Sequence, residues 1–368
     1  MARIDTVATC VWMLLLALGL VAVTSATQHL ASSQINPLVL KHVFYMVVAV
    51  AVFIGIVQVP MDVVQRLHKI FYLLTLALAI LVLIPGIGLE AGGGRRWIDL
   101  KFATLQVSEL ARLFIPIYLA GHLAHNRQAI SKGIWGPVKP VLLVGVVLGL
   151  IFLQPDFGSV VLIGLVTAGM LFVAGARLRV LAAIGILAVP VFAYFLYERR
   201  NRLMAYLDTW SHAQDEGYQL SQSLIAFGRG ELTGIGLGDG IQKVLYLPTP
   251  HNDFIFSVIA EEVGFVGSAV LLLVLLGLVA RCLWVGKCAL NAGRDFAGFL
   301  SYGAGLMLGL QTLIHVGVAI GALPTKGLTL PFISYGGNSL LVSSALVALS
   351  CRAHMELTPK EYRKGRKS

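Results

Sequence analysis

Asp253 stands where a polar loop becomes an apolar helix, in the run Leu247-Pro248-Thr249-Pro250-His251-Asn252-Asp253-Phe254-Ile255-Phe256. A carboxylate at such a changeover can serve as a general base or hold a divalent cation against a phosphate. It can also simply sit at the positive end of a helix, for a stabilisation of up to about 1 kcal/mol. With Thr249 as N-cap and Pro250 as first helical residue, Asp253 is predicted to lie in the first turn. Projected at about 100° per residue, Ser257, Ala260, Gly264 and Gly267 fall within about 40° of it. The carboxylate would then head a stripe of small side chains that a lipid tail or a second helix can occupy. Glu261 and Glu262 are displaced around and along that helix, so neither is a natural partner for Asp253.

Other side chains invite chemistry at other points of the chain. Glu109 and Arg112, three apart on one helix face, are predicted to pair, either locking their span to its neighbours or lining a substrate cavity. Arg95, Arg96 and Lys326 stand beside glycines in two polar segments and suit phosphate oxygens. Asp156, after Pro155, is placed to N-cap the helix that follows. No second His or Cys stands at ligand spacing from His251 and Asp253, or from Glu261 and Glu262, so a dedicated protein metal site is not predicted. The expected cofactor set is none, with one option left open: a divalent cation, Mg or Mn, shared between Asp253 and a substrate pyrophosphate. The glycines of Gly234-Ile235-Gly236-Leu237-Gly238-Asp239-Gly240 superficially resemble a nucleotide-binding loop. No strand precedes them and no helix opening on Lys-Ser/Thr follows. They are expected to let the loop fold back over the membrane surface.

The elements that must position these residues are membrane spans. Of 368 residues 57% are hydrophobic and 12% charged, more apolar surface than a soluble fold of this size can hide. Apolar runs at about 9–28, 40–59, 69–85, 105–124, 139–153, 158–175, 179–197, 252–280, 297–320 and 335–351 predict an all-α, polytopic integral membrane protein of about ten transmembrane helices. The first run is too long for a signal-peptide core and is read as an uncleaved span. The net charge of +10 is concentrated in short loops and in the basic tail 352–368. Placing Arg66, Lys69, Arg127, Lys132, Lys139, Arg177, Arg179, Arg281, Lys287, Arg294 and that tail inside puts both termini in the cytoplasm. Asp253 and the long loop 198–250 then face outward. Cys10, Cys282, Cys288 and Cys351 fall at cytoplasmic helix ends, where thiols stay reduced. The charge calls for no nucleic-acid partner.

The run Gly217-Tyr218-Gln219-Leu220-Ser221-Gln222-Ser223-Leu224-Ile225-Ala226-Phe227-Gly228-Arg229-Gly230, with Leu247-Pro248, His251-Asn252-Asp253-Phe254-Ile255-Phe256 and Glu261-Glu262, resembles the SEDS family (shape, elongation, division and sporulation). The closing run Leu323-Pro324-Thr325-Lys326-Gly327-Leu328-Thr329-Leu330-Pro331-Phe332-Ile333-Ser334-Tyr335-Gly336-Gly337 is similar to the division branch of that family more than to its elongation branch. Asn252 departs from the family pattern, where Thr is usual, and Asn338 from one where Ser is common.

The resemblance covers all ten spans as a single domain. It implies a glycosyltransferase that polymerises lipid II on the outer face of the cytoplasmic membrane, at the division septum. Asp253 matches the aspartate regarded as catalytic. Glu109 and Arg112 match an acid–base pair of the fourth span, and Arg96 and Trp97 an Arg-Trp-Ile loop. Implied substrates are lipid II and the glycan linked to undecaprenyl pyrophosphate. The implied partners are a class B penicillin-binding protein, a transpeptidase, and other division membrane proteins. With what the resemblance implies, Arg96, Trp97, Lys326, His251, Glu109, Arg112 and Asp156 are the candidate substrate contacts around Asp253. A lipid II flippase is the rival from another class, and a non-enzymatic division scaffold a second. For the flippase, no inverted repeat or pair of broken helices is apparent.

Overall fold

The computed structural model describes residues 4–28, 36–91, 94–99, 101, 104–198, 200–325 and 327–357. Each of the ten apolar runs is a helix. The first seven are α1 (Thr6–Thr27), α2 (Pro37–Gln58), α3 (Met61–Leu81), α4 (Val107–Lys132), α5 (Trp135–Phe152), α6 (Phe157–Val173) and α7 (Leu178–Glu198). The expected long loop is itself partly helical, with α8 (Arg200–Leu207), α9 (Tyr218–Gly230) and α10 (Gln242–Leu245). The last three spans are α11 (Ile255–Asn291), α12 (Asp295–Ala319) and α13 (Gly337–Met355), so the expected tail begins as the end of a helix. Among the described residues, six of these helices are long and apolar enough to cross a membrane by length and composition alone. In α12, 72% of the apolar window is buried, against 17–33% in the other five. That contrast makes α12 the centre of the bundle, packed by α4, α6, α11 and α13, while the outer helices turn apolar faces to lipid.

The polar segment after α3 departs from the all-helical expectation. It forms a small antiparallel sheet of β1 (Gly88–Ala91), β2 (Gly94–Asp99) and β3 (Thr104–Gln106), in the order β1-β2-β3. Trp97 pairs with Leu89 on one side and Gln106 on the other. The sheet feeds directly into α4, whose first residues carry Glu109 and Arg112.

One expected helix is broken. α11 is interrupted at Gly264, which has φ +68° and ψ −170°, a conformation that L side chains rarely adopt. An interruption exposes carbonyls before it and N–H groups after it, and in a membrane these must be satisfied by protein. The glycine-rich segment of the long loop does this. Ile235 and Gly236 N–H donate to the Glu261 and Glu262 carbonyls, each at 3.1 Å, and Phe265 and Val266 N–H donate to the Glu231 and Leu232 carbonyls at 2.9 and 3.1 Å. A Cβ built at Gly234 would stand 2.1 Å from the Glu262 carbonyl oxygen, so only glycine permits this approach. The segment therefore docks into the break in α11. The small-residue stripe projected along one straight helix also ends at this break.

Glu261 and Glu262 fasten the rest of the loop. The Glu261 carboxylate accepts from Ile241 and Gln242 N–H, each at 3.2 Å, and pairs with Arg229 at 3.1 Å. Glu262 pairs with Lys243 at 2.5 Å and accepts from Ser25 of α1 at 2.5 Å. At the opposite end of the bundle, Arg281 pairs with Asp5 (2.8 Å) and Arg127 with Asp295 (2.5 Å). The four cysteines are all free thiols.

Candidate active site

Asp253 lies two residues before α11, not in its first turn. Thr249 has φ +46° and cannot serve as an extended N-cap; the chain turns through residues 251–254, and Phe254 takes the cap position. The cause is a competing set of bonds. Tyr335 N–H donates to the His251 carbonyl and the Ser334 hydroxyl to the Asn252 carbonyl, both at 2.8 Å. These bonds draw both carbonyls out of the helical ladder. The Asp253 carboxylate is half-buried and, among the described residues, forms no hydrogen bond or ion pair. Burial pushes its pKa up to about 6, because a charged carboxylate loses hydration there without gaining a partner. The His251 ring meets the Tyr335 ring edge-on, with centroids 5.6 Å apart.

A second cluster forms where α4 and α6 begin. Arg112 donates to Glu109 at 2.7 Å and to the Ser159 hydroxyl at 2.8 Å, and Ser159 donates on to Asp156 at 2.7 Å. Asp156 is the N-cap of α6 as expected, accepting from Ser159 N–H at 3.2 Å. Burial pushes the Asp156 carboxyl up, but the Arg112 charge and the bonds from Ser108 and Ser159 outweigh it and hold the group below the usual range. Arg96 reaches the same corner. Its Nε and Nη2 donate to the Gln154 and Pro155 carbonyls at 2.8 and 3.0 Å. Trp97 is half-buried beside it, and its strand partner Gln106 lies 3.5 Å from Asp156. Among the described residues Glu109 Oε2 and Arg112 Nε are buried without a partner, so this corner holds unspent donor and acceptor capacity.

The loop after α12 joins the two clusters. A Cβ at Gly327 would stand 3.1 Å from Asp253 Oδ2, and one at Gly158, beside Asp156, would stand 3.1 Å from the Leu328 side chain. Consecutive Cα atoms are about 3.8 Å apart, so one dipeptide touches Asp253 on one side and the start of α6 on the other. The structure thus brings Glu109, Arg112, Asp156 and Arg96 into one corner and sets Asp253 with His251 across Gly327-Leu328 from it. Lys326 lies outside the described residues. Ser159, Gln106 and Gln154, which link the corner, were not singled out in the sequence. Ser159 was legible as the third residue after an N-cap aspartate, whereas the glutamines carry no comparable signal.

Together these features define a polytopic helical membrane protein in which Glu109, Arg112, Asp156, Arg96 and His251 gather at one end, around an Asp253 carboxylate that has no partner among the described residues. The sequence profile of the cell cycle protein family that takes in FtsW, RodA and SpoVE matches residues 5–358, and the chain belongs to that family. It is 41% identical over 351 residues to a Coxiella burnetii protein named "Probable peptidoglycan glycosyltransferase FtsW", covering 93% of this chain and 94% of that one. A Methylomonas methanica protein of the same name is 37% identical over 362 residues, covering 97% and 93%. Among solved structures, a chain of a peptidoglycan synthase complex described as coordinating polymerization and crosslinking superposes with a TM-score of 0.78 at 27% identity, over 96% of this chain and 98% of that one. The rod shape determining protein RodA of Thermus thermophilus superposes with a TM-score of 0.72 at 28% identity, over 96% and 97%.

Proposed function

We propose that Asp253 is the general base of a peptidoglycan glycosyltransferase that polymerises lipid II at the outer face of the cytoplasmic membrane during septal wall synthesis. Relatives at 37% and 41% identity along nearly their whole length bear the glycosyltransferase name and the division-type name FtsW, which supports both the activity and the branch. The observation that carries the base assignment is the half-buried Asp253 carboxylate, without a partner among the described residues and with a pKa pushed up to about 6. A base whose proton affinity lies near ambient pH combines sufficient ionisation with a useful driving force.

In the reaction, the 4-hydroxyl of the incoming lipid II N-acetylglucosamine attacks the anomeric carbon of the growing glycan. Asp253 takes the hydroxyl proton as the new bond forms. The electrons of the breaking anomeric C–O bond leave with undecaprenyl pyrophosphate. A single inverting displacement needs one base and no carboxylate nucleophile. The guanidinium donors of Arg96 not held by Gln154 and Pro155, together with Lys326, are assigned to the pyrophosphate oxygens. Glu109, Arg112 and Asp156 shape the corner next to them, with Trp97 as its apolar wall and His251 beside the base. Among the described residues no group of three or more His, Cys, Asp or Glu could hold a metal ion. The partnerless Asp253 carboxylate could supply one ligand to a divalent cation that a pyrophosphate otherwise holds; such an ion would stabilise the leaving group's charge. The partner is assigned as a class B penicillin-binding protein, supported by the likeness to a chain of a synthase complex.

Product analysis tests this directly. Purified protein, its penicillin-binding partner and labelled lipid II should yield glycan strands that a muramidase digests. Transfer of labelled lipid II between leaflets of a vesicle without any polymer would favour the flippase instead.

A further inference from the structure

Gln311 and His315 sit one turn apart on α12 and bond consecutive residues of the loop that borders Asp253. His315 Nδ1 lies 2.6 Å from the Leu328 carbonyl. Gln311 Nε2 donates to the Thr329 carbonyl at 2.9 Å and to its hydroxyl at 3.2 Å. A carbonyl only accepts, so Nδ1 carries the proton and the imidazole is held in one tautomer. The next group along, Leu330 N–H, donates to the Ser334 hydroxyl at 2.8 Å, and that hydroxyl donates to the Asn252 carbonyl at 2.8 Å. The loop backbone is therefore tied to α12 on one side and to the Asp253 turn on the other.

His315 and Gln311 are 1% and 2% exposed, in the most buried helix of the bundle. Polar side chains at that depth are costly unless they satisfy something. His315 Nε2 has no partner among the described residues, so its bond to Leu328 is the polar contact the ring supplies there. Gly327, the residue before Leu328, has its backbone against the Asp253 carboxylate, within 3.1 Å of Oδ2 for a Cβ built there. Displacing Leu328 and Thr329 would take that wall with them.

We propose that His315 and Gln311 are positioning residues: by holding Leu328 and Thr329, they keep Gly327 against Asp253 and aim the carboxylate at the acceptor hydroxyl. The inference rests on Asp253 being the base. Both side chains are buried away from solvent, so their loss is expected to act on turnover more than on affinity. A misplacement of about 1 Å costs up to roughly a hundredfold in rate.

Steady-state polymerisation of labelled lipid II by the purified protein with its penicillin-binding partner provides the test. His315→Leu and Gln311→Leu are each expected to lower kcat by about 10–100-fold while KM for lipid II stays within about twofold, as for an interaction made only in the transition state. His315→Gln keeps a donor able to reach the Leu328 carbonyl and should recover most of the turnover. A loss of kcat in His315→Leu with recovery in His315→Gln supports the clamp. Wild-type kcat in His315→Leu, or a folded His315→Gln no better than His315→Leu, overturns it. If His315→Leu does not purify, Gln311→Leu decides by the same criterion: wild-type kcat overturns the clamp. Asp253→Asn, assayed alongside, separates the two levels. An inactive Asp253→Asn beside a fully active His315→Leu removes the clamp alone, and an active Asp253→Asn removes the base assignment with it.

Discussion

Lys243 Nζ lies 2.5 Å from Glu262 Oε1, with side chains 2% and 3% exposed, and this pair pins the long loop to the broken helix just beyond the Asp253 turn. Removing one partner of a buried pair strands the other charge, at a cost of about 3–5 kcal/mol. Lys243→Met should therefore lower the unfolding temperature sharply and open residues 231–245 to protease. The double variant Lys243→Met, Glu262→Leu should regain most of that loss, because two well-packed apolar groups need no partner. Thermal unfolding in detergent with timed proteolysis checks both; equal instability of single and double variants would show that packing, not charge, holds the loop.

The chain from Glu109 through Arg112 and Ser159 to Asp156 predicts the outcome of exchanging charges. Glu109→Ala and Arg112→Ala should each impair polymerisation. The swap Glu109→Arg, Arg112→Glu should not restore it, since a carboxylate at 112 would face Ser159 and Asp156 in place of the guanidinium that Ser159 and Glu109 now accept from. Recovery of activity in the swap would reduce the pair to a lock between helices.

Asp253 should set the acid limb of the reaction. Its carboxyl is protonated below about pH 6, so kcat/KM should fall as pH drops through that value, by about tenfold per unit well below it. The stability consequence has the opposite sense to a paired acid. The folded pKa lies above the ordinary one of 3.8, so the folded state favours the neutral acid. That contribution is full below about pH 4 and is lost as pH rises through about 6. At pH 7 the ionised carboxylate costs the fold about 1–3 kcal/mol. Asp253→Asn should accordingly be more stable than the parent at pH 7, as expected where function holds a destabilising group. A lower unfolding temperature would contradict the burial argument.

Orientation is tested by labelling. In a cysteine-free background, a cysteine at Gln214, which is exposed, should react with an impermeant thiol reagent added outside, and one at Lys287 should not. Reaction of the Gln214 site from the cytoplasmic side alone would invert the topology and the outward-facing site with it.

The helices of the ten apolar runs were legible from hydropathy, six of them long and apolar enough to cross a membrane among the described residues, and the Glu109–Arg112 pair because a three-residue spacing puts both on one face. The helix start at Asp253 was not, since Thr249-Pro250 is a sound local N-terminus that distant Ser334 and Tyr335 override by capturing the 251–252 carbonyls. The break at Gly264 was hidden for the same reason: its partners, Glu231 to Gly236, lie about thirty residues upstream. Gln311 and His315 were not singled out in the sequence, although two polar residues four apart in an apolar run mark a site where buried polar groups need partners.

The most direct test of the account is lipid II polymerisation by Asp253→Asn with its penicillin-binding partner. The variant keeps the size of the side chain and removes only its basicity, and loss of a general base costs about 10²–10⁴-fold in rate. Asp253→Asn should insert, purify and bind the penicillin-binding protein but make no detectable glycan. Polymerisation within a fewfold of the parent would contradict the base assignment and leave Asp253 a residue of the turn before α11.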